Sequence, residues 1–473
     1  MARGGPARRY ACRVNDVRYV WGRWSPARLI VVSFASTIAV GTLLLRTPVA
    51  SSGVALGWLE ALFTATSATC VTGLIVVDTG RDLSMFGQVV VLALIQLGGL
   101  GIMSFSTLGL IAMGKRLRLH HRMVVASTLG TPGGLTIGSL LRHVIGISLA
   151  FELIGALLLA WRWPAETVGE ALAAGLFHSI SAFNNAGFST RADSLIGFQG
   201  DGVVNSVVMV LIVCGGLGFP VLAEISAWAR GSDKARSFTL HTKVALSVSA
   251  ALIGGGALLI FLLEARGTLA HLALPQQLMA SLFQAVTSRT AGFNTLPVGS
   301  LHAATLFVVL LLMFVGGSPG STAGGVKTTS VGVLLAFVRA RARGRESVDM
   351  FRRSVSPEDV RRAVAVVAAA VALLILAIFG LLVTEHVRGP AELAGSMADE
   401  SALAHEVVFE AVSALGTVGL STGLTRSLTS PGRLIIILLM FVGRIGPLTI
   451  AMALGKIHSP GTYRYPQGRV IPG

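Results

Sequence analysis

The chain has 473 residues, of which 53% are hydrophobic and only 13% charged, and its mean hydropathy is +0.75. That composition excludes an ordinary soluble domain and makes lipid the solvent for most of the chain. A formal net charge of +16 would suit a nucleic-acid binder, but the basic residues crowd into alternate loops rather than along one face, so no nucleic-acid partner is expected.

Residues 1–25 are a basic arm, with Arg3, Arg8, Arg9, Arg13, Arg18 and Arg23. The arm leads into a long apolar segment without a small-residue cleavage site, so the first span is expected to stay in the mature protein. That span is expected over Leu29–Leu45. Trp58–Ala68 is a shorter apolar run, and about eleven residues at 1.5 Å each reach about halfway through a ~30 Å hydrocarbon core. Such a segment enters and returns. Phe86–Met113 then crosses fully and leads to the basic loop of Lys115, Arg116, Arg118 and Arg122, closing a first unit, residues 26–122.

The order of span, half-helix, turn and span recurs. In residues 137–232 the elements are Val144–Trp161, Ala171–Phe183 and Val203–Trp228; in 238–350 they are Val244–Leu263, Gln277–Ser288 and Ala303–Val338. In 355–457 they are Ala363–Val383, Leu403–Leu415 and Leu434–Leu454, and 458–473 is a polar tail. The expected fold is therefore an all-α polytopic membrane protein with four pseudo-symmetric span/pore-helix/filter-loop/span repeats around one central pore. Non-helical backbone at membrane depth must be shielded by protein or line a watery cavity, which four turns achieve most economically at a shared axis. Excess Lys and Arg in alternate loops places both termini in the cytoplasm and the turns toward the outside. Cys12, Cys70 and Cys214 lack ligand spacing and read as free thiols.

The turns carry the chemistry. A phenylalanine sits ten residues before the glycine at Phe63, Phe177 and Phe409, and nine before it at Phe283, and the stretches end in Val71-Thr72-Gly73, Asn185-Ala186-Gly187, Thr290-Ala291-Gly292 and Thr417-Val418-Gly419. Side chains vary while the glycine stays, as expected if backbone carbonyls replace the water of a bare cation, whose desolvation costs tens of kcal/mol. Glycine alone takes positive φ without penalty. The carbonyl end of each half-helix also carries partial negative charge toward such an ion.

The second spans share Gly98-Gly99, Gly215-Gly216 and Gly316-Gly317, but the fourth reads Gly443-Arg444. Packing explains the glycines. It does not explain an intramembrane arginine, which is a functional candidate by default, as an electrostatic barrier or a structural anchor. The stretch 316–330, with Gly316, Gly317, Ser318, Pro319, Gly320, Gly324, Gly325 and Lys327, cannot hold a straight helix. It reads as a mobile hairpin or a simple breaker; a phosphate loop is disfavoured because Val326 separates Gly325 from Lys327 and no strand precedes it. Glu152 and Glu224 are candidates for proton coupling or, more simply, for satisfying groups between helices. Arg289 and Glu410 are expected to pair behind the turns, and His178 to be a packed, hydrogen-bonded residue.

These motifs, FTATSATCVTGL, FHSISAFNNAGF, TSRTAGFNT, GTVGLST, LIQLGGLG, GGSPGSTAGGVKTT and FVGRIGP, resemble the membrane subunit of the Trk/Ktr/HKT potassium transporters, most closely the KtrB type. The resemblance covers residues 26–473. It implies potassium as transported substrate, with sodium as a candidate activator and no organic cofactor, and a gate at the 316–330 loop. It also implies a plasma-membrane homodimer, into whose interface the tail tucks, and a cytosolic nucleotide-binding regulatory ring of the KtrA/TrkA type. Plant relatives with serine at the first filter glycine favour sodium, and Gly73 favours potassium. The alternative is an alternating-access symporter driven by protons or sodium, for which inverted repeats and intramembrane acids would be expected. No constellation for an enzyme is present.

Overall fold

A computed structural model describes residues 26–113, 137–231, 237–386, 400–447 and 449. The basic arm, Lys115 to Arg122 and the 458–473 tail lie outside the described residues, and with them the tail's expected place at a dimer interface.

Among the described residues, four helices are long and apolar enough to cross a membrane, over residues 27–45, 144–162, 240–264 and 357–386. They are the first spans of the four expected units: α1 (Pro26–Leu45), α4 (Ile137–Arg162), α8 (Leu240–Glu264) and α12 (Pro357–His386). Each is followed by a shorter helix at the half-helix position: α2 (Trp58–Thr69), α5 (Val168–Phe183), α9 (Leu274–Thr287) and α13 (Glu400–Gly416). Leu258, Leu262, Ile375, Leu376 and Phe379 are more than half exposed on α8 and α12. In water that outer surface would be a liability, whereas in lipid it is the expected finish.

The half-helices start with recognisable caps. The Thr167 hydroxyl accepts from the Glu170 amide at the head of α5, and Glu60 reaches back to the Gly57 amide at the head of α2, each satisfying an otherwise orphaned donor. Their interiors are buried: Phe63, Phe283 and Phe409 are at most 2% exposed and Phe177 4%, so the recurring phenylalanine is a packing anchor of each half-helix.

The second spans differ from the straight helices expected. Only α3 (Met85–Met113) is continuous. In the second unit α6 (Gly202–Leu217) and α7 (Phe219–Ala229) meet at a 106° bend, at Gly218 with φ 85° and with Pro220 just beyond. In the third, α10 (Ala303–Phe314) and α11 (Thr328–Ala342) flank the loop 315–327. In the fourth, α14 (Ser430–Ile445) stops at Gly446, φ 91°. One interruption was expected, and three are found. The extra two fall where glycine takes a φ that other residues adopt only with strain. Beyond α11, the short strands β1 (Asp349–Met350) and β2 (Arg353–Ser354) form an antiparallel hairpin before α12.

Candidate functional site

The four turns share one backbone conformation. Gly73, Gly187, Gly292 and Gly419 have φ of 90°, 69°, 78° and 92°, and the residues two places earlier, Val71, Asn185, Thr290 and Thr417, have φ of 55°, 58°, 71° and 50°. The residue between, Thr72, Ala186, Ala291 or Val418, is not in that region. Alternating handedness orients successive peptide groups the same way, so that a run of carbonyls can face one side. The left-handed residue two places before each glycine was not anticipated from sequence. A non-glycine residue there is strained and persists only where its surroundings hold it.

The turns also meet. A Cβ placed on Gly73 would lie 3.2 Å from Gly187 Cα; one on Gly187, 3.0 Å from Gly292 Cα; one on Gly292, 3.2 Å from Gly419 Cα; and one on Gly419, 3.0 Å from Gly73 Cα. The series closes on itself in chain order. Had the glycines lain apart, no shared axis would exist.

A hydroxyl braces every turn from behind, four residues after the recurring phenylalanine. Ser67 and Ser413 accept from the amides of Gly73 and Gly419, both at 3.1 Å. Ser181 and Thr287 instead donate to the carbonyls of Phe188 and Phe293, just past Gly187 and Gly292, both at 2.8 Å. The main-chain carbonyl of the same residue accepts from the turn as well, Ser67 from Thr72, Ser181 from Ala186, Thr287 from Ala291 and Ser413 from Val418. A Phe-x-x-x-Ser/Thr spacing could have revealed this brace in the sequence.

The 315–327 loop lies against the second and fourth turns and is tied to the second and fourth units and, through Arg444, to the first. Its neck closes through Gly316 N–H to Val326 O at 2.9 Å and Thr328 N–H to Gly317 O at 3.0 Å. Toward the second unit, Ser318 donates its amide to Gly216 O and Phe219 donates its own to Gly320 O. A Cβ on Gly324 would lie 3.1 Å from Gly416 O, at the base of the fourth turn. Arg444, 4% exposed, donates Nη1 to the Thr322 carbonyl at the loop's apex and Nη2 to the Gly98 carbonyl of α3 at 3.0 Å. Lys327 turns its ammonium onto Ala323 O at 2.7 Å, within its own loop. Gly316, Gly317, Ser318, Gly320 and Gly324 are buried, while Pro319, Gly325 and Lys327 are half-buried. Thr322, which receives the arginine, carries no sequence signal that marks it out from its neighbours.

One expected contact is absent. Arg289 and Glu410 do not pair: Arg289 donates Nη2 to Ser249 Oγ at 3.1 Å and Gly316 O at 3.2 Å, and Glu410 accepts from the hydroxyls of Ser421 and Thr425. Each finds neutral partners instead. Glu152 accepts from Gln96 Nε2 at 2.9 Å and Asn184 Nδ2 at 3.1 Å, and Glu224 accepts from the Thr239 amide and from the Thr239 and Thr242 hydroxyls. Both acids satisfy groups between helices. His178 bonds Ala174 O at 2.8 Å and Ser189 Oγ at 2.9 Å, with the Trp163 ring tilted against it at 4.2 Å between centroids, so it is a packed residue.

Membrane-length helices with a closed set of backbone turns are the arrangement expected of a protein that carries ions across a membrane. The comparisons agree: a family model described as TrkH, cation transport protein, matches residues 25–464, and the chain belongs to that family. It is 42% identical over 459 residues to the Ktr system potassium uptake protein B of Bacillus subtilis, covering 96% of this chain and 98% of that protein. The potassium/sodium uptake protein NtpJ of Enterococcus hirae is 35% identical over 456 residues, with 95% and 98% covered. The crystal structure of the potassium transporter TrkH from Vibrio parahaemolyticus matches with a TM-score of 0.69 at 19% identity, over 95% of this chain and 87% of that one.

Proposed function

We propose that this chain is the ion-conducting membrane subunit of a Trk/Ktr-type potassium uptake system. The observation that carries this reading is the closed series of glycines, each within van der Waals distance of the next turn. Potassium passes the carbonyls of Val71, Thr72 and Gly73, of Asn185, Ala186 and Gly187, of Thr290, Ala291 and Gly292, and of Thr417, Val418 and Gly419, which take the place of its water. Residues 316–330 are the gate, and Arg444 latches it in the closed position while placing a positive charge beside the path.

The relatives named as parts of a Ktr system support a partner subunit, which we assign to a cytosolic nucleotide-binding ring of the KtrA/TrkA type meeting the basic cytoplasmic loops. A homodimer in the plasma membrane, with both termini inside and the turns outward, completes the assignment. We also propose sodium as an activator; one relative is named for potassium and sodium uptake.

Expression in cells that lack potassium uptake tests the reading. Wild type restores growth at limiting potassium, and Arg444→Ala raises uptake measured without the regulatory partner. Failure of wild type with and without a ring protein to move potassium would sink the reading; equal flux in wild type and R444A would remove the latch.

A further inference from the structure

Arg289 stands one residue before the third turn, where the other units carry Cys70, Asn184 and Gly416. It is 8% exposed, and no carboxylate among the described residues lies within ion-pair reach of it. Ile212, Val213, Ile253 and Val286 line the same small void, so a full positive charge sits in apolar surroundings on two neutral acceptors, Ser249 Oγ and Gly316 O. Such a placement is costly unless both acceptors are kept.

A comparison between units shows what it replaces. In the first, second and fourth units, the glycine of the second span, Gly98, Gly215 or Gly443, packs its Cα on a carbonyl at the end of its own half-helix, Thr69, Phe183 or Leu415. The corresponding Gly316 packs on Gly324 O of the loop instead. The loop has displaced the direct contact between half-helix and second span, and the Arg289 guanidinium bridges the gap to the Gly316 carbonyl.

We infer that Arg289 is a positioning residue tying the third turn to the root of the 315–327 loop, so that movement of the loop changes how well that turn discriminates between potassium and sodium. The inference rests on the conduction path proposed above. When the neck of the loop shifts, the guanidinium loses Gly316 O. Its backbone must then adjust at Thr290, whose φ of 71° is tolerated only while held.

The test uses the full chain in proteoliposomes, with rubidium uptake competed by sodium. Arg289→Met is expected to lower the preference for rubidium over sodium about tenfold, the equivalent of one lost charge-assisted hydrogen bond, and Arg289→Lys to restore most of it. Arg444→Ala lowers the preference partway by freeing the loop, and adding it to R289M causes no further loss, because both remove one coupling. A preference unchanged in R289M while only the flux falls overturns the inference, as do two losses that multiply. If R289M does not accumulate, Ser249→Ala carries the test: a preference lowered about threefold supports the tie, and an unchanged one overturns it. Absence of rubidium uptake by wild type both with and without a ring protein would instead sink the conduction reading.

Discussion

Ser413 makes two hydrogen bonds to the fourth turn, its hydroxyl accepting from the Gly419 amide and its carbonyl from the Val418 amide. Only the first depends on the side chain. Ser413→Ala therefore leaves a buried N–H without a partner, at a cost of about 1–3 kcal/mol, while the helix keeps its backbone bonds. The expected outcome is a chain that accumulates normally but binds potassium about tenfold less tightly, read from the concentration for half-maximal uptake. Ser181 donates to a carbonyl that can turn to other donors, so Ser181→Ala should be milder in the same assay. The residues that strain the turns, Val71, Asn185, Thr290 and Thr417, have no common chemistry; what they share is a φ, and φ leaves no trace in residue identity unless glycine supplies it.

The second spans show where an element is governed by its neighbour. Gly218 breaks the second unit's span against the loop, since a Cβ there would lie 2.9 Å from Gly320 C and O. Its φ of 85° makes any larger residue doubly unwelcome. Gly218→Ala should push the loop from its seat and raise basal uptake in the absence of a regulatory partner, a rise abolished if the loop is already released by Arg444→Ala. The long apolar first spans and the four half-helices were legible in the sequence, because length and hydropathy decide them locally. The 315–327 interruption was legible too, from its Gly, Ser and Pro content. The breaks at Gly218 and Gly446 were not. The motif Gly-Gly-Leu-Gly occurs both at 98–101, within the continuous α3, and at 215–218, where the chain turns by 106°. The difference lies in Pro220 and in the loop packed alongside, a contact across about a hundred residues. The same limit explains the mistaken pairing of Arg289 with Glu410: opposite charges near the same turns suggested a bond, but which side of the half-helix each occupies is set by packing.

At the level of the whole molecule, each unit leans on the next. A methyl group on Gly73 presses on Gly187, and one on Gly187 presses on Gly292. Alanine substitutions at neighbouring glycines should therefore be non-additive by about 0.5–3 kcal/mol, whereas pairs across the axis, Gly73 with Gly292 or Gly187 with Gly419, should come closer to additivity. Potassium-over-sodium preference for the four single and the six double variants would measure this; equal coupling in all pairs would contradict a closed series. Because the turns belong to one polypeptide, the four sides of the axis need not be alike. An assembly of four identical subunits could place an arginine at the position of Arg444 only by placing four there, a charge that would repel every cation, open or shut. A single polypeptide lets one quarter carry an arginine while the other three keep glycine, so the latch proposed for Arg444 is something that mutation can reach one quarter at a time.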